Sequence, residues 1–143
     1  MGTRALTFVY SENDKPIVNL YRQYDGYPTG HGAELAEFLN GFKVVNGIGA
    51  EKTRIANGMG CLAAQIVAHF KESVGGFYIH SVDATECGQD YEYHVYQKDK
   101  ELRVRVTDRG CNMFGLTMSD TNEGIFDGTV AEFVTFCSEK ATA

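Results

Sequence analysis

The residues best suited to chemistry lie between Tyr21 and Leu35, where the chain reads Tyr-Arg-Gln-Tyr-Asp-Gly-Tyr-Pro-Thr-Gly-His-Gly-Ala-Glu-Leu. Arg22 offers a planar fork that grips phosphate or carboxylate at two points. Asp25-Gly26-Tyr27-Pro28 is turn chemistry, since Asp bonds its own backbone and Gly accepts positive φ. Gly30 and Gly32 bracket His31 where a helical pattern begins. A helix start presents unpaired N–H groups and the positive end of its dipole. Arg22, Tyr24, Asp25, Tyr27, Gly30, His31 and Gly32 therefore compose a site for a small anionic ligand, a nucleotide or a phosphorylated metabolite. Arg4 joins them because a hairpin brings its strand start to the end of the next strand, where Arg22 lies. His31 is the candidate general acid or base, with Asp25 beside it. The same residues also make a purely structural corner, with Arg22 paired to Asp25 or Glu34 and His31 closing the helix start.

The remaining chemistry is more scattered. Asn57-Gly58-Met59-Gly60-Cys61 is a second glycine-rich helix start, but it lacks the lysine and spacing of a P-loop, and no clear strand precedes it. Cys61 in a first helical turn has the position for a lowered pKa, though a buried thiol packed among small residues suits the pattern better. His80 and His94 fall on strands, with Asp83, Glu86 and Cys87 near in sequence. No pair has metal-ligand spacing, so no metal is expected and each histidine is read as a satisfied strand residue. Tyr91, Tyr93 and Tyr96 suggest a stacking platform, which Asp90, Glu92 and the overall charge oppose. Arg103 and Arg105 are the best basic patch, or simply a solvated strand face.

These groups need elements to hold them. Residues 4–10 and 16–24 are β-branched and aromatic and flank Ser11-Glu12-Asn13-Asp14, which predicts a hairpin with Pro16 at a strand start. Both strands are apolar at odd and even positions, which predicts cover on both faces. A helix begins near His31 or Gly32, with Leu35, Phe38, Leu39 and Phe42 as its buried stripe and Gly41 as its stop. Residues 43–56 read as an ordered loop with one short turn. Asn57 is the expected cap of a helix over 58–73 that Gly75-Gly76 ends. Strands follow over 77–82, 91–98 and 101–107, the last two joined by Lys98-Asp99-Lys100, and 112–118 adds another. Thr129 and Glu132 have capping-box spacing before a closing helix with Val130, Phe133, Val134 and Cys137 inward. The order predicts one α+β domain: an antiparallel sheet of five to six strands with three helices packed on it.

Composition narrows the function classes. The chain has 143 residues, 43% hydrophobic and 22% charged, enough for a core of its own. A net charge of −6 disfavours a general grip on nucleic acid, which needs a basic face. Cys61, Cys87, Cys111 and Cys137 stand far apart, and the first residues run straight into a strand pattern without a signal peptide. Both point to free thiols in the cytoplasm. No apolar run approaches the roughly 20 residues of a membrane span. No cofactor motif is present, and nothing opposes a homo-oligomer.

Met-Gly-Thr-Arg-Ala-Leu-Thr at 1–7, with Tyr-Arg-Gln-Tyr-Asp-Gly-Tyr-Pro-Thr-Gly-His-Gly-Ala-Glu-Leu at 21–35, resembles a family of small uncharacterised proteins of bacteriophages and bacterial genomes. The resemblance covers the N-terminal third. It implies a phage-type accessory protein acting in the host cytoplasm and transfers no residue roles. Three functions are therefore in play. They are a small-anion binder using the 21–35 segment, a non-enzymatic accessory with a host-protein or structural role, and a small hydrolase using His31 with Asp25 or Cys61.

Overall fold

A computed structural model describes residues 2–50, 53–110 and 123–142. Strand β1 (Ala5–Tyr10) is apolar on both faces, and every residue from Ala5 to Val9 is buried. It sits inside a six-stranded sheet ordered β5-β2-β1-β6-β7-β8, made of β2 (Pro16–Arg22), β5 (Phe77–His80), β6 (Tyr91–Lys98), β7 (Glu101–Asp108) and β8 (Glu123–Thr129). The fold is a single α+β domain with three α-helices among the described residues: α1 (Ala33–Leu39), α2 (Gly58–Phe70) and α3 (Val130–Thr142). The sheet is mixed rather than antiparallel throughout, because β1 and β6 run parallel. Such a pair needs a long crossover, here the chain through β2, α1, α2 and β5, and no local pattern announces it.

The β1–β2 hairpin forms with Ala5 opposite Arg22, and β6–β7 turns through Asp99 and Lys100, both at positive φ. The capping box at α3 is present in both directions. Glu132 N–H donates to Thr129 Oγ1 at 3.2 Å and Thr129 N–H to Glu132 Oε1 at 2.8 Å. Three expectations change. Residues 43–56 contain β3 (Lys43–Val45) and β4 (Ile55–Asn57), a small parallel pair whose three-residue strands are too short to show a period. Asn57 does not cap α2; its Oδ1 accepts from Gly47 N–H at 2.8 Å, while Met59 N–H in the first turn donates to Glu12 Oε2 at 2.8 Å. The helix ends at Phe70, and Lys71 Nζ then donates to the carbonyls of Gly75 and Phe77, closing the turn. Strand β8 was hidden by Gly124, Asp127 and Gly128, which depress strand propensity. The strand expected over 112–118 lies outside the described residues.

Alternation along each strand separates two faces. Ala5, Val9, Leu20, Tyr93, Val95, Val104 and Val106 point at the helices and form the core with Leu35, Leu39, Leu62, Ile66 and Phe133. The opposite face carries Phe8, Asn19, His94 and Arg105 in one register row. The core stabilises the fold at roughly 25 cal/mol per Å² of apolar surface buried. The polar face is where the sheet holds groups that burial alone would not select.

Candidate functional site

The 21–35 segment is a closed corner. Pro28–Gly32 forms a single π-helical turn that runs into α1. His31 is fully buried, its ring against Phe70, Phe77 and Tyr93 with centroids at 4.9, 6.5 and 5.0 Å. Arg22 Nη1 donates to His31 Nδ1 at 3.2 Å. An arginine only donates, so Nε2 carries the imidazole proton and donates to Thr7 Oγ1 at 2.7 Å. Burial, then the Arg22 charge, lower the His31 pKa to about 3, so the ring is neutral and sealed from any substrate.

Arg22 is equally committed. Its Nη1 meets Glu34 Oε2 at 2.7 Å, its Nε donates to the Tyr24 carbonyl at 2.6 Å, and the guanidinium lies over the Phe77 ring at 5.0 Å. The backbone donors are spent as well. Gly30 and Gly32 N–H donate to the Tyr27 carbonyl, His31 N–H to that of Asp25 and Gly26 N–H to that of Thr3. Gly30 is glycine because a Cβ there would stand within 3.0 Å of the Asp25 carbonyl oxygen. Tyr24, Asp25 and Tyr27 lie on the outside of the corner, with Tyr27 O–H on Asp25 Oδ1 at 3.1 Å. The expected residues therefore do not converge. Arg4 precedes Ala5, the register partner of Arg22, so the pleat puts its side chain on the other sheet face, near Gly88. Cys61 is half-buried in α2 and receives Gln65 Nε2, while the side-chain hydrogen bonds of His31 go to Thr7 and Arg22.

The polar sheet face holds the arrangement that the residue pattern left unread. Glu92 and His94 are two apart on β6 and share this face; Glu92 is 7% and His94 8% exposed. His94 stacks on Phe8 with centroids 5.3 Å apart and planes 8° from parallel. Its Nε2–H donates to Glu92 Oε1 at 3.2 Å, which leaves Nδ1 to accept from the Tyr10 hydroxyl at 2.7 Å. Glu92 Oε2 also receives Gln89 Nε2 at 2.8 Å and Arg109 Nη1, and Arg109 Nη2 donates to Glu86 at 2.7 Å. Burial raises the Glu92 carboxyl, but hydrogen bonds from His94, Gln89 and Arg109 outweigh it and hold the pKa at about 2. The anchored carboxylate fixes the imidazole tautomer. One signal was available: polar Glu92, His94 and Tyr96 alternate with apolar Tyr93 and Val95. Tyr10 ends β1 and Arg109 follows β7, and only the pairing of these strands with β6 brings them to Glu92 and His94.

Arg105 completes this face. It follows His94 in the register row, its guanidinium lies over the Tyr96 ring at 5.5 Å, and its charge acts on the Tyr10 hydroxyl. Burial raises the Tyr10 pKa and Arg105 opposes that rise. Arg103 is occupied by Glu101 and Asp127, and Arg109 by Glu86 and Glu92. Among the described residues Arg105 has no carboxylate partner. The three tyrosines expected as a platform divide between the faces, with Tyr93 fully buried in the core and its hydroxyl on the Gly26 carbonyl.

Other clusters offer less. His80 and His94 share a row with three strand spacings between them, about 14 Å, so they do not meet. Cys87 Sγ lies 3.6 Å from His80 Nδ1, but burial and Glu86 raise the thiol pKa, against thiolate formation. Among the described residues, no group of three His, Cys, Asp or Glu is placed to hold a metal. A cleft of about 640 Å³ between α1 and α2 is lined by Glu34, Glu37 and Glu72, and its Arg54 is spent on α1 carbonyls, so it repels anions. Among the described residues no helix is long and apolar enough to cross a membrane. No family model, curated protein or solved structure matches the chain.

Proposed function

We propose that this chain is an accessory protein of the phage type that binds a small phosphate-bearing ligand on the polar face of its sheet. Arg105 is the anion fork, beside the Tyr10 hydroxyl. One observation carries the reading: of Arg103, Arg105 and Arg109, the arginines of β7 and the residue after it, only Arg105 lacks a carboxylate partner among the described residues. Its guanidinium is braced over Tyr96 rather than loose in solvent, which lowers the entropy lost on binding. Isothermal titration with inorganic phosphate and pyrophosphate tests it. Binding is expected for the wild type, at least tenfold weaker for Arg105→Met, and unchanged for Arg22→Lys, whose site is internal. Absence of binding by the wild type, or equal affinity after Arg105→Met, rejects it.

A non-enzymatic reading is favoured by the sheet edge. Strand β5 exposes Ile79 at 62% and Tyr78, with Val74 exposed in the turn before it; it carries no charged residue, proline or bulge, and Lys71 caps only its first carbonyl, that of Phe77. Edges so unguarded accept another strand. The occupant in this reading is β5 of a second copy, antiparallel, with Ile79 opposite Ile79. Sedimentation velocity should find a dimer that Ile79→Lys dissolves; a monomer at all concentrations ends this reading.

A further inference from the structure

Tyr10, His94 and Glu92 have the topology of a nucleophile, its base and an orienting carboxylate. Three links are needed: a hydroxyl donating to an imidazole, the opposite ring nitrogen donating to a carboxylate, and a carboxylate fixed by other donors. All three are present, at 2.7 Å for Tyr10 to His94 Nδ1 and 3.2 Å for His94 Nε2 to Glu92, with Gln89 and Arg109 pinning Glu92. Phe8 stacked on the ring blocks rotation of His94 out of this geometry. Burying a carboxylate and a guanidinium costs several kcal/mol of desolvation, and an apolar pair of the same size would serve stability equally well. Among the described residues the Cys87–His80 contact has no third member of this kind. Tyr10 itself is only partly buried.

We propose that the Tyr10 oxygen is a nucleophile toward a phosphoester whose phosphoryl oxygens lie on Arg105. The inference rests on the reading that Arg105 seats a phosphate. The Tyr10 oxygen forms a bond to phosphorus as the bond from phosphorus to the leaving oxygen breaks, and that oxygen departs with the electron pair. The phenolic proton passes to His94 Nδ1. The imidazolium so formed keeps its Nε2–H on the Glu92 carboxylate, which stabilises it, and it returns the proton to the leaving oxygen. Arg105 offsets charge that builds on the phosphoryl oxygens. Tyr10 is the catalytic residue, His94 its base, and Glu92 a positioning residue that sets the tautomer.

Diisopropyl fluorophosphate tests this on the full chain, because its phosphorus accepts the same attack with fluoride as leaving group. Peptide mass mapping over time reads the label at each tyrosine. Tyr24, 55% exposed and without a base on its hydroxyl among the described residues, is the internal control. The expected result is labelling of Tyr10 at least tenfold faster than Tyr24, slowed at least tenfold by His94→Asn and slowed by inorganic phosphate. Labelling of Tyr10 no faster than Tyr24 in the wild type overturns the inference, and that comparison needs no variant to fold. An unchanged rate in a folded His94→Asn protein overturns it too. Phosphate binding in the calorimeter without selective Tyr10 labelling removes the nucleophile but leaves the binding function standing. Fast Tyr10 labelling without phosphate binding removes the Arg105 seat, and with it the phosphoester as substrate.

Discussion

Arg22 and His31 meet inside the corner, with guanidinium Nη1 donating to imidazole Nδ1 at 3.2 Å. That contact makes protonation of His31 doubly unfavourable, because the ring is buried and faces a cation. The folded-state pKa of about 3 lies below the 6.5 of the unfolded chain. Between these values the unfolded state binds the extra proton, so stability is complete above pH 6.5 and is lost as pH falls toward 3. The loss by pH 4.5 is on the order of 2 kcal/mol. Urea midpoints measured between pH 7.5 and 4.5 should fall for the wild type and flatten in His31→Gln. Glu92 acts later, since its depressed carboxyl gives up stability only as pH drops below 4.5 toward about 2.

Two glycine-to-alanine changes should have opposite signs. A Cβ on Gly30 would collide with backbone at Asp25, which cannot swing away as a side-chain tip does. Gly60 lies in the first turn of α2 with nothing within 4 Å of a Cβ and a φ that alanine accepts. Gly30→Ala should lower stability by about 2 kcal/mol or more, whereas Gly60→Ala should raise it by about 0.5–1 kcal/mol through helix propensity. Thermal melts of the two proteins decide both.

Local pattern carried the elements whose determinants are neighbours in sequence. The alternation from Glu101 to Thr107 and the Thr129–Glu132 capping box lie within a few residues, and each formed as read, whereas α2 stops at Phe70, before the glycine pair at Gly75-Gly76. The corner at 21–35 was readable as a corner, and Arg22 with Glu34 was among its expected pairs. Its inward direction was not readable, because burial of His31 depends on Phe70, Phe77 and Tyr93 from three distant segments. The polar face was missed for the same reason. Glu92 and His94 share a face by parity alone, but Tyr10 reaches them through a parallel β1–β6 pairing that no turn residue signals.

Glu12 shows the same limit in a helix cap. It lies in the β1–β2 turn, 47 residues from the N–H it accepts at Met59. It replaces the expected Asn57 cap, and a carboxylate at that position also meets the positive end of the α2 dipole. The Met59 backbone N–H, and then Glu12's own, hold the Glu12 carboxyl below its usual range. Glu12→Ala should cost about 0.5–1 kcal/mol, and Glu12→Gln less because it keeps the acceptor but not the charge. Denaturant midpoints at low and high salt separate the two contributions, since only the charge term is screened.

The Glu92–Arg109 pair gives the sharpest test of why the polar face is built as it is. Both side chains are almost fully buried, and each answers the other's charge. Removing Arg109 leaves Glu92 without its cation in a site that water barely reaches, and removing Glu92 leaves Arg109 only the exposed Glu86, so Arg109→Met should cost roughly 3–5 kcal/mol and Glu92→Leu somewhat less. Removing both with Glu92→Leu and Arg109→Met deletes the two desolvation penalties together, and the double variant should be more stable than either single one. Urea unfolding of the four proteins measures the coupling. A double variant near wild-type stability that no longer positions His94 would separate the two roles of the network. The charges would then be dispensable for the fold and required for holding the imidazole on Tyr10, which the fluorophosphate labelling rate reads directly. A double variant as unstable as the sum of the singles would instead make Glu92 and Arg109 independent structural residues, with no claim on the chemistry of Tyr10.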